Sequence, residues 1–387
     1  MNRSLWLLAL CQGLFLTNNV AFIAINGLIG LSLAPYGWMA TLPVMGYVVG
    51  GALSTPLVAR TQTRYGRGVA FQIGLAVAVV SAAFAAWAVL EKNFWGVVAA
   101  TVVAGYYSAN GQLYRFAAAE LAAPAFREKA VSLVLAGGLI GAVIGPNLAA
   151  RSRTLLEVPF AGAYIVLALL ALLGMVLMAG VRFPAPPKAN TATPPGRPLS
   201  QIFQQPAFMV ACLSASLGYG VMNLLMAATP LAMQQCGLPF EDAAFVLEWH
   251  VIGMFAPGFF TGSLIKRYGT LRIMGIGVVL NLACIVVALS GQDLHRFAIA
   301  LFLLGVGWNF LFTGSTTLSL DAYRPEEKDR AQAAINFFVF AVMALTSFAS
   351  GALVTTQGWS LLNWGSLLPV GLTAVALIWL ELRRHQP

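Results

Sequence analysis

The chain has 387 residues, of which 59% are hydrophobic and only 9% charged, with a mean hydropathy of +0.81. A soluble globular protein carries about one quarter charged residues, so that class is excluded and a polytopic membrane protein is implied. The formal net charge of +9 fits attraction to anionic lipid headgroups better than nucleic-acid binding.

About 20 apolar residues are needed to cross the hydrocarbon core as a helix. Twelve such stretches can be marked: 5–29, 38–58, 68–90, 95–114, 130–150, 160–181, 206–230, 242–264, 271–290, 297–319, 332–354 and 360–380. They are long and continuously apolar without period-two alternation, which excludes a barrel of strands. The expectation is therefore an all-α membrane protein of twelve transmembrane helices. If the amino terminus lies inside, every basic residue of the 22 except Lys92, Arg151, Arg153 and Arg296 falls on the cytoplasmic side. That asymmetry places both termini in the cytoplasm. The first apolar run is followed by no A-x-A cleavage site and is expected to remain as the first span.

In chain order, span one carries Gln12, Thr17, Asn18, Asn19 and Asn26, amides and a hydroxyl expected mostly to bond neighbouring helices. Met39 and Met45 in span two are six apart and do not stack, which fits core filling. Arg64, Tyr65, Gly66 after span two recurs as Arg267, Tyr268, Gly269 after span eight. The charge order of Arg127, Glu128, Lys129 after span four recurs as Lys328, Asp329, Arg330 after span ten, with Glu120 matched by Asp321. Loops repeating at an offset near 200 residues imply two six-helix halves in parallel repeat. The expected division is residues 1–182, a cytoplasmic linker at 183–205 and residues 206–387. The linker, with PAPPKANTATPPGRP, is Pro-rich and aperiodic.

In span four, Tyr107, Asn110 and Tyr114 nearly share a helix face with Tyr106 beside them. They either line an organic-solute cavity or serve as interfacial and interhelical contacts. Gly141, Gly145 and Pro146 in span five partly match a glycine-proline motif of proton-antiport exporters, and small-residue helix packing explains them equally. Cys11, Cys212, Cys236 and Cys284 form no CxxC and give no disulfide framework or zinc site. Cys236, near the outer surface, is either an entry ligand or a small apolar filler.

Twelve spans, both ends inside, a longer connection between spans six and seven and the paired basic loops together resemble the major facilitator superfamily over the whole chain. Its loop motif G-x-L-x-D-R-x-G-R is partly met by Arg64, Gly66 and Arg67, with Thr63 in place of the acid. In the second half it is met by Gly262, Leu264, Arg267 and Gly269, with Lys266 in place of the acid. The resemblance implies that Arg64, Gly66, Arg67, Arg267 and Gly269 belong to an inward gate. No Ser-His-Asp set, Cys-His set or phosphate-binding glycine loop is visible, so an enzyme is not expected.

Spans seven and eight hold the one arrangement of soft donors: Met222 and Met226, then His250 and Met254. Residues four apart point the same way on a helix, so two adjacent helices would each present a two-donor face. Methionine pairs also fill irregular cores, whereas an intramembrane histidine faces a bundle interior or a pathway by default. Thioethers with one imidazole suit Cu(I) over Zn(II). At about 1.5 Å per residue the order from outside reads Met226, Met222, His250, Met254, a staggered ladder. MxxxM followed by HxxxM resembles the CcoA-type copper importers of that superfamily. The resemblance implies Cu(I) as transported substrate with no permanently bound cofactor, a bacterial inner-membrane location, a monomer and a link to haem-copper oxidase assembly. Glu248 points nearly opposite His250 and either couples proton movement or pairs structurally. The alternative function is transport of a small organic solute, by riboflavin-like import or proton-coupled drug export.

Overall fold

The structure, a computed structural model, describes residues 3–36, 39, 42–152, 155–184 and 196–384. Arg153, Lys188 and the linker centre 185–195 lie outside these, as do the side chains of Pro146 and Glu241. Every regular element described is helical, and no strand occurs among the described residues, as expected where lipid offers the backbone no hydrogen-bond partners.

The helices are α1 (Arg3–Leu33), α2 (Leu42–Leu90), α3 (Phe94–Gly111), α4 (Tyr114–Leu121), α5 (Arg127–Ala136), α6 (Gly138–Ser152) and α7 (Ala161–Ala179). They continue as α8 (Leu199–Phe203), α9 (Pro206–Gln235), α10 (Phe240–Phe255), α11 (Gly258–Tyr268), α12 (Thr270–Leu289), α13 (Leu294–Leu320), α14 (Lys328–Thr356) and α15 (Gly358–Arg384). Short 3-10 turns at Pro124–Phe126 and Pro325–Glu327 precede α5 and α14. Nine helical stretches of the described residues are long and apolar enough to cross a membrane. The other three expected crossings are the second limb of α2, the 18-residue α3, and α10 with α11.

The helix breaks have local causes. α2 has 49 residues, enough for two crossings, and Gly66 divides it with φ 80°, ψ 171°. Gly269 stands between α11 and α12 with φ 89°, ψ 150°. That region is essentially confined to glycine, so the repeated Arg-Tyr-Gly is a turn signature as well as a motif. Pro257 separates α10 from α11, because proline supplies no N–H and its ring opposes the carbonyl four residues earlier.

The residues form two compact units, each founded on one half of the sequence and including one segment of the other. The first contains Met1–Ala125, Gly137–Pro194 and Gln332–Phe340; the second contains Phe126–Ala136, Pro195–Ala331 and Ala341–Pro387. In the first, Phe15 meets the edges of Tyr107 and Tyr114 at 5.3 and 6.0 Å, and Phe71 meets Tyr114 at 4.8 Å. Glycines permit close backbone approach here. A methyl on Gly50 would overlap the Val102 carbonyl, and one on Gly141 would lie 2.6 Å from the Thr17 nitrogen. Gly141 therefore serves α6–α1 packing. Of the span-one amides, Asn18 Nδ2 donates to the Leu167 carbonyl (3.0 Å), and Asn26 Oδ1 accepts from the Tyr164 hydroxyl (2.8 Å).

In the second unit, α5 lies against α11. Ser132 Oγ donates to the Gly258 carbonyl and accepts from the Gly262 N–H at 3.0 Å. A methyl on Gly262 would overlap the Glu128 carbonyl and stand 2.8 Å from the Lys129 Cα. The end of the linker is fastened to the same unit by Arg197, whose Nε and Nη2 donate to the two carboxylate oxygens of buried Glu327 at 2.7 and 2.6 Å.

Candidate functional site

α9 begins on Pro206, where a missing N–H costs nothing, and carries Met222 buried and Met226 half-buried. On α10, His250 has no exposed surface and Met254 is also buried. Two glycines bring α10 onto α13 at this point. A methyl on Gly253 would lie 2.8 Å from the Phe302 carbonyl, and one on Gly305 would overlap the His250 carbonyl.

His250 Nδ1 lies 2.6 Å from the Leu301 carbonyl, which can only accept, so Nδ1 carries the hydrogen. In the neutral ring the lone pair then sits on Nε2, a buried atom with no hydrogen-bond partner. Asn309 Nδ2 donates to the Met254 carbonyl (2.6 Å), and Asn309 Oδ1 accepts from Thr261 Oγ1 (2.7 Å). The hydrogen bonds of the His250–Met254 turn thus run to α13 rather than to α9.

Trp308 of α13 touches both α9 and α10. Its ring meets Tyr219 of α9 at 5.4 Å and Phe255 of α10 at 5.7 Å, both edge-on, and stacks on Phe312 at 4.8 Å. Met222 and Met226 follow Tyr219 on α9 by three and seven residues, and His250 and Met254 precede Phe255 on α10 by five and one. Among the described residues no three His, Cys, Asp or Glu gather to hold a metal ion, so any metal contact here rests on thioethers and one imidazole.

Other polar groups lie along α9 and α10. Asn223 Nδ2 lies 3.0 Å from Thr346 Oγ1 and 2.9 Å from Ser347 Oγ, both on α14. Glu248 is exposed, on another side of α10 from His250. Cys236 is exposed at the end of α9, its Sγ donating to Gln292 Oε1 at 3.2 Å. Trp308, Tyr219, Phe255, Phe312, Asn223 and Asn309 were not singled out from sequence. A tryptophan in mid-span, away from the interfacial belts that tryptophan favours, and an amide in mid-span were the available signals.

The residues expected from the loop motif to form a gate differ in burial. Arg67 is buried: its Nη2 donates to Glu120 Oε1 and to Gln332 Oε1, both at 2.6 Å, and its Nη1 donates to Gln62. Arg115, buried one helix away, donates to Gln112 Oε1 (2.9 Å) and Asn336 Oδ1 (3.1 Å). Arg64 and Arg267 are exposed, each over the ring of the tyrosine that follows it, at 5.4 and 5.2 Å. In span four, Tyr107 and Tyr114 are buried in the first unit's core, Asn110 Nδ2 donates to the Tyr106 carbonyl, and Tyr106 bonds Thr61 at 3.1 Å.

The family model described as Major Facilitator Superfamily matches residues 5–256 and 249–387. The riboflavin transporter RfnT of Brucella anthropi is 35% identical over 378 residues, covering 97% of this chain and 95% of that one. Among solved structures, the fucose:proton symporter FucP of E. coli has a TM-score of 0.79 at 15% identity, covering 99% of this chain and 98% of its own. The human organic anion transporter MFSD10 has a TM-score of 0.77 at 14% identity, covering 97% and 99%. At those identities the structures speak for the fold alone. The narrower resemblance to CcoA-type copper importers is not carried by these matches, since the relative at 35% identity is a riboflavin transporter. With the family's pattern running from residue 5 to residue 387, the chain belongs to the major facilitator superfamily and is a multi-pass membrane transporter.

Proposed function

We propose that the protein imports a small heteroaromatic solute of the riboflavin class by alternating access, across a bacterial inner membrane and with both termini in the cytoplasm. The observation that carries this reading is the 35% identity to a riboflavin transporter over nearly the full length of both chains. Tyr219, Phe255, Trp308 and Phe312 support it: aromatic rings favour offset-stacked and edge-on partners, and a flat ring system offers both. The buried Nε2 of His250, on the same helix as Phe255, supplies a hydrogen-bond acceptor.

Cu(I) import is the second reading, and one observation favours it. A histidine that donates Nδ1–H to a backbone carbonyl and keeps Nε2 bare is arranged as metal-ligating histidines are, with Met254 one turn further along the same helix. Accumulation of radiolabelled riboflavin and of copper, in cells deleted for their own carriers, decides between them. Riboflavin uptake that survives replacement of Met222, Met226 and Met254 by Leu, one at a time, is the expected result, since each swap keeps volume and costs less than about 1.5 kcal/mol. Copper uptake abolished by those replacements, with no riboflavin uptake in the parent, would reverse the order of the two readings.

A further inference from the structure

A cleft of about 510 Å³ opens on the surface of the first unit between the second limb of α2 and the end of α7. Val69, Gln72, Ile73, Ala76, Met175 and Met178 line it. Val69 and Ile73 are exposed, so in a bilayer this wall meets lipid. The amide of Gln72 is engaged across the cleft, Nε2 donating to the Met175 carbonyl at 2.9 Å. The remaining lining is hydrocarbon, thioether and glycine.

One end of the cleft leads to two exposed arginines in the chain. Val181 lines it, and the next residue, Arg182, has an exposed side chain. Its backbone N–H donates to Ser4 Oγ at 3.2 Å, which brings the start of α1 alongside, and Arg3 there is exposed as well. Gly68 lies at the same end, where an added methyl would meet only the Phe183 ring, at 3.5 Å. An apolar channel along two membrane helices that finishes at arginine fits an amphiphile with an anionic head. Basic pockets between transmembrane helices on the basic side recognise such headgroups.

We propose that this cleft seats an acyl chain of an anionic phospholipid from the surrounding bilayer, with the phosphate held at Arg182. The channel supplies dispersion contact with the chain, and Arg182 supplies the headgroup preference. The site is independent of the transported solute.

The test is native mass spectrometry of the purified full-length protein, titrated with phosphatidylglycerol or phosphatidylcholine. The parent should hold phosphatidylglycerol more tightly. Arg182→Gln should weaken it about fivefold, the equivalent of about 1 kcal/mol per basic residue at a membrane surface, and leave phosphatidylcholine unchanged. Ala76→Phe fills the channel and should lower binding of both lipids. Arg182 is an exposed residue, so its variant reports on binding even if the filled channel impairs folding. Equal affinity of the parent for the two lipids, or undiminished phosphatidylglycerol binding in Arg182→Gln, would overturn the proposal.

Discussion

Gly269→Ala and Gly275→Ala place the same methyl on glycines six residues apart, and the structure predicts opposite signs. Neither Cβ would meet any atom within 4 Å, so packing drops out and only the backbone decides. Gly269 sits at φ 89°, ψ 150° between α11 and α12, a region that costs a side-chain-bearing residue about 1–3 kcal/mol. That is roughly a 5- to 150-fold shift of the folding equilibrium. Gly275 lies inside α12, where alanine loses less conformational freedom and gains about 0.5–1 kcal/mol. Unfolding of the purified protein in mild detergent, followed by tryptophan fluorescence, should show Gly269→Ala less stable than the parent and Gly275→Ala at least as stable. Gly66→Ala, at φ 80°, ψ 171°, should repeat the loss. If Gly269→Ala and Gly275→Ala shift stability in the same direction, the backbone at this turn is not what makes glycine necessary.

Other outcomes follow from named contacts. Arg67→Ala strips a buried guanidinium from Glu120, Gln62 and Gln332 and should cost about 2 kcal/mol or more by leaving polar partners unpaired. Arg64→Ala, at an exposed site, should stay within about 0.5 kcal/mol; unfolding measurements on both variants check the contrast. Gly262→Ala has a helical backbone but drives a methyl into the Glu128 carbonyl, so uptake should fall and hydrogen exchange in α5 should rise. Arg197→Ala leaves the buried Glu327 carboxylate without its two-pronged partner, and limited proteolysis should then cut earlier between residues 196 and 205.

Much of the fold was legible because the bilayer imposes a one-dimensional rule. Backbone groups in hydrocarbon must be satisfied within a helix or a closed barrel, and about 20 apolar residues suffice for one crossing. Position along the chain therefore announces the spans without reference to tertiary contacts. The Arg-Tyr-Gly repeat was legible too, and the structure gives it a cause in the positive φ of Gly66 and Gly269. Less visible were the places where segments change company. Residues 126–136 and 332–340 look like ordinary ends of spans five and eleven, yet each belongs to the unit founded on the other half. Contact at Ser132 and Gly258, or at Arg67 and Gln332, joins residues more than 100 positions apart, and no local pattern encodes such pairings.

The candidate site divides along the same line. Sequence by itself determined that the chain is an all-helical membrane protein with an internal repeat, and that Met222, Met226, His250 and Met254 are soft donors at one-turn spacing, because composition and the 3.6-residue period are local properties. It also marked Arg64 and Arg67 alike, being blind to the turn at Gly66 that leaves one exposed and the other buried beside Glu120. Only the tertiary structure decided that α13 packs against the candidate residues: the Leu301 carbonyl accepts the imidazole hydrogen bond, Asn309 donates to the Met254 carbonyl, and Trp308 touches Tyr219 of α9 and Phe255 of α10. The physical reason is that the depth of a donor depends on how neighbouring helices slide along one another. Here the packing involves glycines and large rings on a third helix, about 50 to 90 residues further along the chain.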